Sequence, residues 1–197
     1  MDIIMATGNK NKVKEIAEML AGTDINVITM KDAGINVEIV EDGTTFEENA
    51  RKKAETVRDA SGKVVIADDS GLEIDYLGGE PGIYSARYMG EDTSYDIKNA
   101  ALIGRLEGVP DEERTARFVC AFAIAYPDRE TVIYRGEFEG IIAHEPAGEN
   151  GFGYDPILYL PDRGCTSAEL SSEEKNAISH RGKALRMAAA ELMKLAE

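Results

Sequence analysis

Residues 2–22 read DIIMATGNKNKVKEIAEMLAG: a short apolar run, a polar turn and an amphipathic segment in immediate succession. The run 2–6 is strand-like, and Thr7-Gly8-Asn9 is a turn signal. From Lys10 onward Val13, Ile16, Ala17 and Leu20 recur at helical spacing, with Gly22 as the stop. Strand, polar turn and helix at the start of the chain set an α/β expectation, and the remaining segments continue it. Residues 25–30 and 37–40 read as short strands. Thr44 and Thr45 precede Glu47 and Glu48 by three positions, the spacing of a capping box, so a helix is expected to run to about Ala60. The run KVVIA (63–67) reads as a buried strand ending in Asp68-Asp69-Ser70-Gly71. Residues 78–90 read as loop with a short helix, followed by a helix near 94–107. Two β-type runs, 115–126 and 131–143, join through Pro127-Asp128. A glycine-rich loop (146–156) leads to a last helical region from about Glu173 to Ala196. With no repeat, low-complexity tract or flexible linker, the expectation is a single domain over 1–197, built as two lobes around a cleft.

The chain has 197 residues and a formal charge of -15, from 37 acidic against 22 basic side chains. At 43% hydrophobic residues it can bury a sizeable core, so disorder is excluded. A field this negative repels nucleic-acid polymers and anionic membranes. The opening is neither a signal peptide nor a spanning helix, and no later apolar run has the length to cross a bilayer. Cys120 and Cys165 make neither a disulfide framework nor a zinc site. The chain therefore reads as soluble and cytoplasmic, with no membrane or nucleic-acid partner.

Four segments carry chemistry. TGNKNK (7–12) places small and polar residues at a helix N-terminus, where backbone N–H groups and the dipole favour an anion. Lys10, Lys12 and Lys14 add local positive charge, although the spacing is neither a P-loop nor a dinucleotide fingerprint and also fits an ordinary turn. Asp68 and Asp69 point to opposite faces of their strand, so one of them faces a ligand. With Glu41-Asp42 at the end of 37–40, two carboxylates on neighbouring strands suit magnesium; solvated turn acids fit the same residues. In GENGFGYDP (148–156) two glycines flank Phe152, leaving its ring open to stack on a planar base, and Asp155 can accept from ring N–H groups. Lys175 to Ala190 contains no acid but four cations, Lys175, Arg181, Lys183 and Arg186, an island that asks for an anionic or electron-rich partner. His180 fits that island or a structural role, and His144 reads as structural.

TGNKNK, ADDSGL with PGIYSARY, GFGYDP and EKNAISHR, in this order, resemble the inosine triphosphate pyrophosphatase (Ham1) family from about residue 5 to residue 186. The resemblance implies an elongated mixed β-sheet flanked by helices with an active cleft between two lobes. It also implies a magnesium-dependent homodimer that hydrolyses ITP, dITP and XTP to the monophosphate and pyrophosphate. By position, Thr7, Gly8, Asn9, Lys10, Asn11 and Lys12 would hold the phosphates, and Lys53 would reach them. Glu41 and Asp69 resemble the metal ligands, and Asp69 also takes the general-base position. Ser70 follows as a substrate contact. Phe152, Gly153, Tyr154, Asp155, Lys175, His180 and Arg181 resemble the purine-recognition set.

The implied chemistry is coherent. Magnesium and lysines offset the triphosphate charge, and Asp69 or a water it orients delivers hydroxide to the α-phosphorus. A 6-oxo purine accepts from Lys175 or Arg181, whereas adenine's amino group leaves those cations unpaired. Two other readings compete. A nucleotide sensor without turnover would not need the paired carboxylates. A hydrolase using Ser70 as nucleophile would need a G-x-S-x-G elbow, which D-D-S-G does not supply.

Overall fold

The computed structural model describes residues 1–194. Strand β1 (Asp2–Met5) enters the turn, and Asn9, in extended conformation, caps helix α1 (Lys10–Met19) by accepting from the N–H groups of Asn11 and Lys12. Strand β2 (Asn26–Thr29) follows. Thr45 caps helix α2 (Phe46–Ser61) by accepting from Glu48 N–H at 3.1 Å, and Gly62 ends it in the left-handed conformation at φ 63°. Beyond strand β3 (Val65–Ile74), Ser94 caps helix α3 (Tyr95–Arg105). Strands β4 (Thr115–Ala125) and β5 (Val132–Ile142) are the expected pair of long runs. Strands β6 (Leu158–Leu160) and β7 (Cys165–Thr166) follow, too short to read from the sequence, and then helices α4 (Ser172–Ile178) and α5 (His180–Lys194).

Among the described residues, seven strands form one sheet in the order β2-β1-β3-β4-β5-β6-β7. β1 pairs in parallel with β2 and β3, while β6 pairs antiparallel with β5 and β7, so the sheet is mixed, as expected for this α/β chain. The chain separates into two units whose divisions fall inside β3, β4 and β5 and after His180. Among the described residues, the first comprises 1–69, 120–136 and 181–194; the second comprises 70–119 and 137–180. Each has its own core. In the first, Ile3, Met5, Ile66, Phe122 and Ile124 pack with Ile16 of α1, with Leu20 just after it, and with Ala184, Leu185 and Ala188 of α5. In the second, Leu72, Ile74, Phe118, Phe138 and Ile142 pack with Leu102 and Leu106 near the end of α3. No helix among the described residues is long and apolar enough to cross a membrane.

Three local expectations give way. Residues 37–40 do not form a strand. Their alternation of half-buried Val37 and Ile39 with exposed Glu38 and Val40 is present, but the segment after them is tied to side chains of α2 rather than to a ladder. The strand does not end at Asp68 to Gly71, because β3 runs through them to Ile74. The alternative of solvated turn acids gives way too, since both aspartates are buried and ion-paired within the strand. The last helical region is two helices, broken where Ser179 adopts an extended conformation (ψ 161°), the geometry that serine favours ahead of a helix. Residues 195 and 196 of the expected helix lie outside the described residues.

Candidate active site

In the first unit the side-chain alternation of β3 sorts the two aspartates. Asp68 shares the face of Ile66, against α1 and α5, and its Oδ2 accepts from Arg181 Nε (3.2 Å) and Nη2 (3.1 Å) and pairs with Lys12 Nζ (3.1 Å). Arg181 also pairs with Glu15. Burial pushes the guanidinium's pKa down, but Asp68 and Glu15 outweigh it and the net direction is up. Asp69 faces the other way, toward Lys53 of α2.

Lys53 is the centre of this second cluster. Its Nζ lies 2.8 Å from Asp69 Oδ1 and 2.8 Å from Glu41 Oε2, so one ammonium bridges the two carboxylates. Burial alone would lower the Lys53 pKa, but Asp69 and Glu41 raise it. Asp69 moves up as well, because burial outweighs the attraction of Lys53. Asp69 Oδ2 is buried without a hydrogen-bond partner among the described residues. A buried carboxylate with a raised pKa and an open oxygen has the character of a general base.

The segment that carries Glu41 is fixed by α2. Asp42 pairs with Lys52, Gly43 N–H donates to Asn49 Oδ1 (2.8 Å), and Thr44 N–H donates to Glu48 Oε2 (2.6 Å). These ties turn Glu41, rather than Asp42, toward Lys53 and Asp69. The TGNKNK turn lies in the same unit. There the N–H groups of Asn11 and Lys12 are taken by the Asn9 side chain, Thr7 Oγ1 accepts from Asn9 N–H, and Gly8, Asn9, Lys10 and Asn11 are exposed.

In the second unit the loop before β6 forms a different arrangement. Asp155 is buried, its Oδ2 accepting from Phe152 N–H (2.8 Å) and Lys175 Nζ (2.7 Å), and its Oδ1 from Ser167 Oγ (2.8 Å). Lys175 Nζ lies 5.1 Å from the centroid of the half-buried Phe152 ring. Gly151 makes this close approach possible: at φ +72°, a Cβ there would sit 2.1 Å from Asp155 Oδ2. Tyr154 is a fastening point, donating to Ser85 carbonyl oxygen (2.6 Å) and meeting Tyr95 edge-on at 5.1 Å; burial pushes its phenol up. Gly153 carbonyl oxygen accepts from Asn99 Nδ2 (3.2 Å). His180 stacks on Phe118 with centroids 5.0 Å apart, and Ser70 is half-buried.

The structure thus brings Lys12, Glu41, Lys53, Asp68, Asp69 and Arg181 into the first unit, and Phe152, Asp155, Lys175 and His180 into the second. Arg181, expected with the purine set, is engaged with Asp68 and Glu15. Sequence reasoning missed Glu15, which nothing in the α1 pattern distinguishes from Glu18. It also missed Asn49, for which a signal existed. Phe46, Ala50, Ala54 and Val57 form the buried stripe of α2, and Asn49 and Lys53 are polar residues falling on it.

Comparison with known proteins gives the family. The Ham1 family profile matches residues 3–191. A dITP/XTP pyrophosphatase of Bacillus licheniformis is 53% identical over 186 residues, 94% of each chain. That of Bacillus subtilis is 51% identical over 185 residues, covering 94% of this chain and 93% of its own. Among solved structures, the Staphylococcus aureus Ham1 protein superposes with a TM-score of 0.88 at 42% identity, covering 99% of this chain and 100% of its own. A Ham1 protein from Coxiella burnetii gives 0.88 at 40% identity, covering 98% and 99%.

Proposed function

The chain belongs to the Ham1 family, and from that membership and the two clusters we propose that it hydrolyses non-canonical purine nucleoside triphosphates, such as dITP and XTP, to the monophosphate and pyrophosphate. The observation that carries the reading is Asp69: buried, raised in pKa, bridged to Glu41 by Lys53, and open at Oδ2. A sensor without turnover has no use for such a group.

The two carboxylates are hard oxygen donors, and the buried, unpartnered Oδ2 of Asp69 is an acceptor awaiting a cation or a proton, so Glu41 and Asp69 fit magnesium. When bound there, the ion would offset triphosphate charge and polarise a phosphoryl oxygen. The chain's own residues do the rest. Lys12 and Lys53 hold phosphoryl oxygens, with the Thr7–Asn11 turn beside them. Asp69 accepts a proton as a water oxygen bonds to the α-phosphorus. The bond from that phosphorus to the α,β-bridging oxygen breaks, and pyrophosphate leaves with the electron pair.

For the base, Phe152 offers a ring face, and Lys175, held by Asp155 beside that ring, donates to the purine 6-oxygen. An adenine amino group in its place leaves a desolvated ammonium facing a donor, which disfavours the adenine nucleotide by about 10²-fold or more. His180 and Ser70 complete the substrate contacts. The family resemblance further implies a homodimer, which sedimentation of the purified chain decides.

The test is pyrophosphate release. With magnesium, dITP and XTP are expected to turn over far faster than dATP or dGTP, and a chelator is expected to stop the reaction until magnesium is restored. Asp69→Asn is expected to abolish release while nucleotide binding persists. Equal rates on dATP would remove the specificity, and an active Asp69→Asn enzyme would remove the base.

A further inference from the structure

Asn49 has no part in the chemistry above, yet its surroundings are those of a working residue. It is 1% exposed and sits one helical turn before Lys53 on the same face of α2. Its amide orientation is fixed by the backbone: Gly43 N–H is a donor, so the atom facing it at 2.8 Å must be Oδ1. Nδ2 therefore points elsewhere, and it is buried without a partner among the described residues. A buried amide N–H left unmade is costly, and such groups are rare in native proteins unless a ligand or water completes them. One turn along the helix, Lys53 holds Asp69, whose Oδ2 is likewise buried and unpartnered. The two open atoms are an uncharged donor and an acidic acceptor. An anion accompanied by a cation satisfies both at once, the anion at the amide and the cation at the carboxylate.

We propose that Asn49 is a further ligand-binding residue of the phosphate site, its Oδ1 fixing the Glu41 segment through Gly43 N–H and its Nδ2 donating to a phosphoryl oxygen of the substrate. The inference rests on the pyrophosphohydrolase reading. It explains why α2 has an amide on its buried stripe where an apolar residue would serve packing as well. It also explains the glycine at 43, where a Cβ would lie 2.6 Å from Asn49 Oδ1 and 2.8 Å from Glu48 Cβ.

Three variants separate the two ends of the amide, read by calorimetric binding of α,β-methylene-dITP, which cannot be cleaved, at limiting and at saturating magnesium. Gly43→Ala disturbs the Oδ1 clamp and, through it, Glu41, so its loss of affinity is expected to be recovered as magnesium is raised, whereas that of Asn49→Leu is expected to persist. Asn49→Leu removes both ends, and loss of a hydrogen bond to a charged phosphoryl group is expected to weaken binding at least about tenfold. Asn49→Asp keeps an acceptor for Gly43 and the side-chain shape, and it too is expected to lose at least about tenfold, which covers the case of an unfolded leucine variant. Binding by both Asn49 variants within twofold of the parent overturns the proposal and leaves a bridging water as the partner of Nδ2. A loss in Asn49→Leu that raised magnesium recovers as fully as in Gly43→Ala also overturns it, reducing Asn49 to a clamp. In either case a parent that still releases pyrophosphate from dITP keeps the functional reading intact. A parent that neither binds the analogue nor turns over dITP removes both.

Discussion

Replacing Lys53 by Met removes the ammonium that Glu41 and Asp69 share, 2.8 Å from each, while keeping most of the buried stem volume. Burial already holds the Asp69 carboxyl above the usual carboxylate range, with Lys53 opposing it. A single opposite charge at such a distance lowers a carboxyl pKa by about 1–3 units, so its loss should raise Asp69 by about that much again. Each unit is worth about 1.4 kcal/mol. The sign follows from the direction of the shift. Well below the ordinary carboxylate range Asp69 is protonated in both folded and unfolded chains, so its ionisation contributes nothing to the difference. As pH rises through the elevated folded value, the variant must hold a buried carboxylate without its ammonium. Relative to the parent it should lose about 1.4–4 kcal/mol between pH 4 and pH 8. Urea unfolding of metal-free protein, followed by circular dichroism at unit steps across that range, measures the difference. In the active enzyme the acid limb of kcat/KM should move upward in parallel, whatever the overall loss in rate from a missing phosphate contact. A parent-to-variant difference flat within about 0.5 kcal/mol across the range would refute the electrostatic account of Asp69.

Asp68→Ala leaves Arg181 and Lys12 without their shared, fully buried partner, and should cost about 3–5 kcal/mol, a fall of roughly 6–20 °C in Tm. Adding Arg181→Met to that variant should recover at least half of the loss; simple additivity would show that the pair is not coupled. Asp155→Asn releases Lys175 from its 2.7 Å partner and should reduce the ratio of kcat/KM for dITP over dATP by about tenfold, and an unchanged ratio would separate the pair from base selection. Gly148→Ala must place a Cβ 2.4 Å from the Ala168 carbonyl carbon at φ +85°, so it should lower stability by about 2 kcal/mol or more, measured by thermal unfolding, and a neutral result would mean that this loop relaxes freely.

How much of this was legible follows from the kind of signal each feature leaves. The opening strand, turn and helix declared themselves through periodicity and through the Thr7-Gly8-Asn9 turn signal, and the structure adds that Asn9 caps the helix. The two long strands β4 and β5 were equally plain. Strand 37–40 failed because alternation reports a half-buried face and says nothing about whether a ladder is available to join. The D-D-S-G stretch left two readings open for a related reason: adjacent aspartates fit a solvated turn as well as a site until Lys12, Lys53 and Arg181, distant in sequence, supply buried counter-charges. At the site, residue types were readable but partners were not. Glu41, Lys53 and Asp69 could be named from their motifs, while the arrangement of one ammonium between two carboxylates is a long-range fact. Arg181 is a further case: its motif suggests a base contact, and what the structure adds is its ion pairs with Asp68 and Glu15.

Those partners also bear on how an acidic chain handles a polyanion. In the first unit the cations Lys12, Lys53 and Arg181 face the carboxylates of Glu15, Glu41, Asp68 and Asp69, so the cluster is one charge negative. Positive excess therefore cannot draw in a triphosphate; some carboxylates must be answered by another cation first. The two clusters differ in how readily they can yield. Asp68 is fully buried beneath Arg181, and stripping a buried pair of one partner costs about 3–5 kcal/mol. Glu41 is 38% exposed at its side chain and Asp69 already has an open oxygen, so holding a divalent cation between them would release Lys53, whose buried ammonium then requires a phosphoryl group as its new partner. Under the proposed function the lysine released in that exchange is the one that turns to the phosphates, while Arg181 stays with Asp68 as fixed scaffolding. The order is testable in one titration. Magnesium alone should raise the reactivity of Lys53 toward an amine-directed label, and that of Lys12, still held by Asp68, should not change. Protection of Lys53 by magnesium would reverse the order and with it the argument.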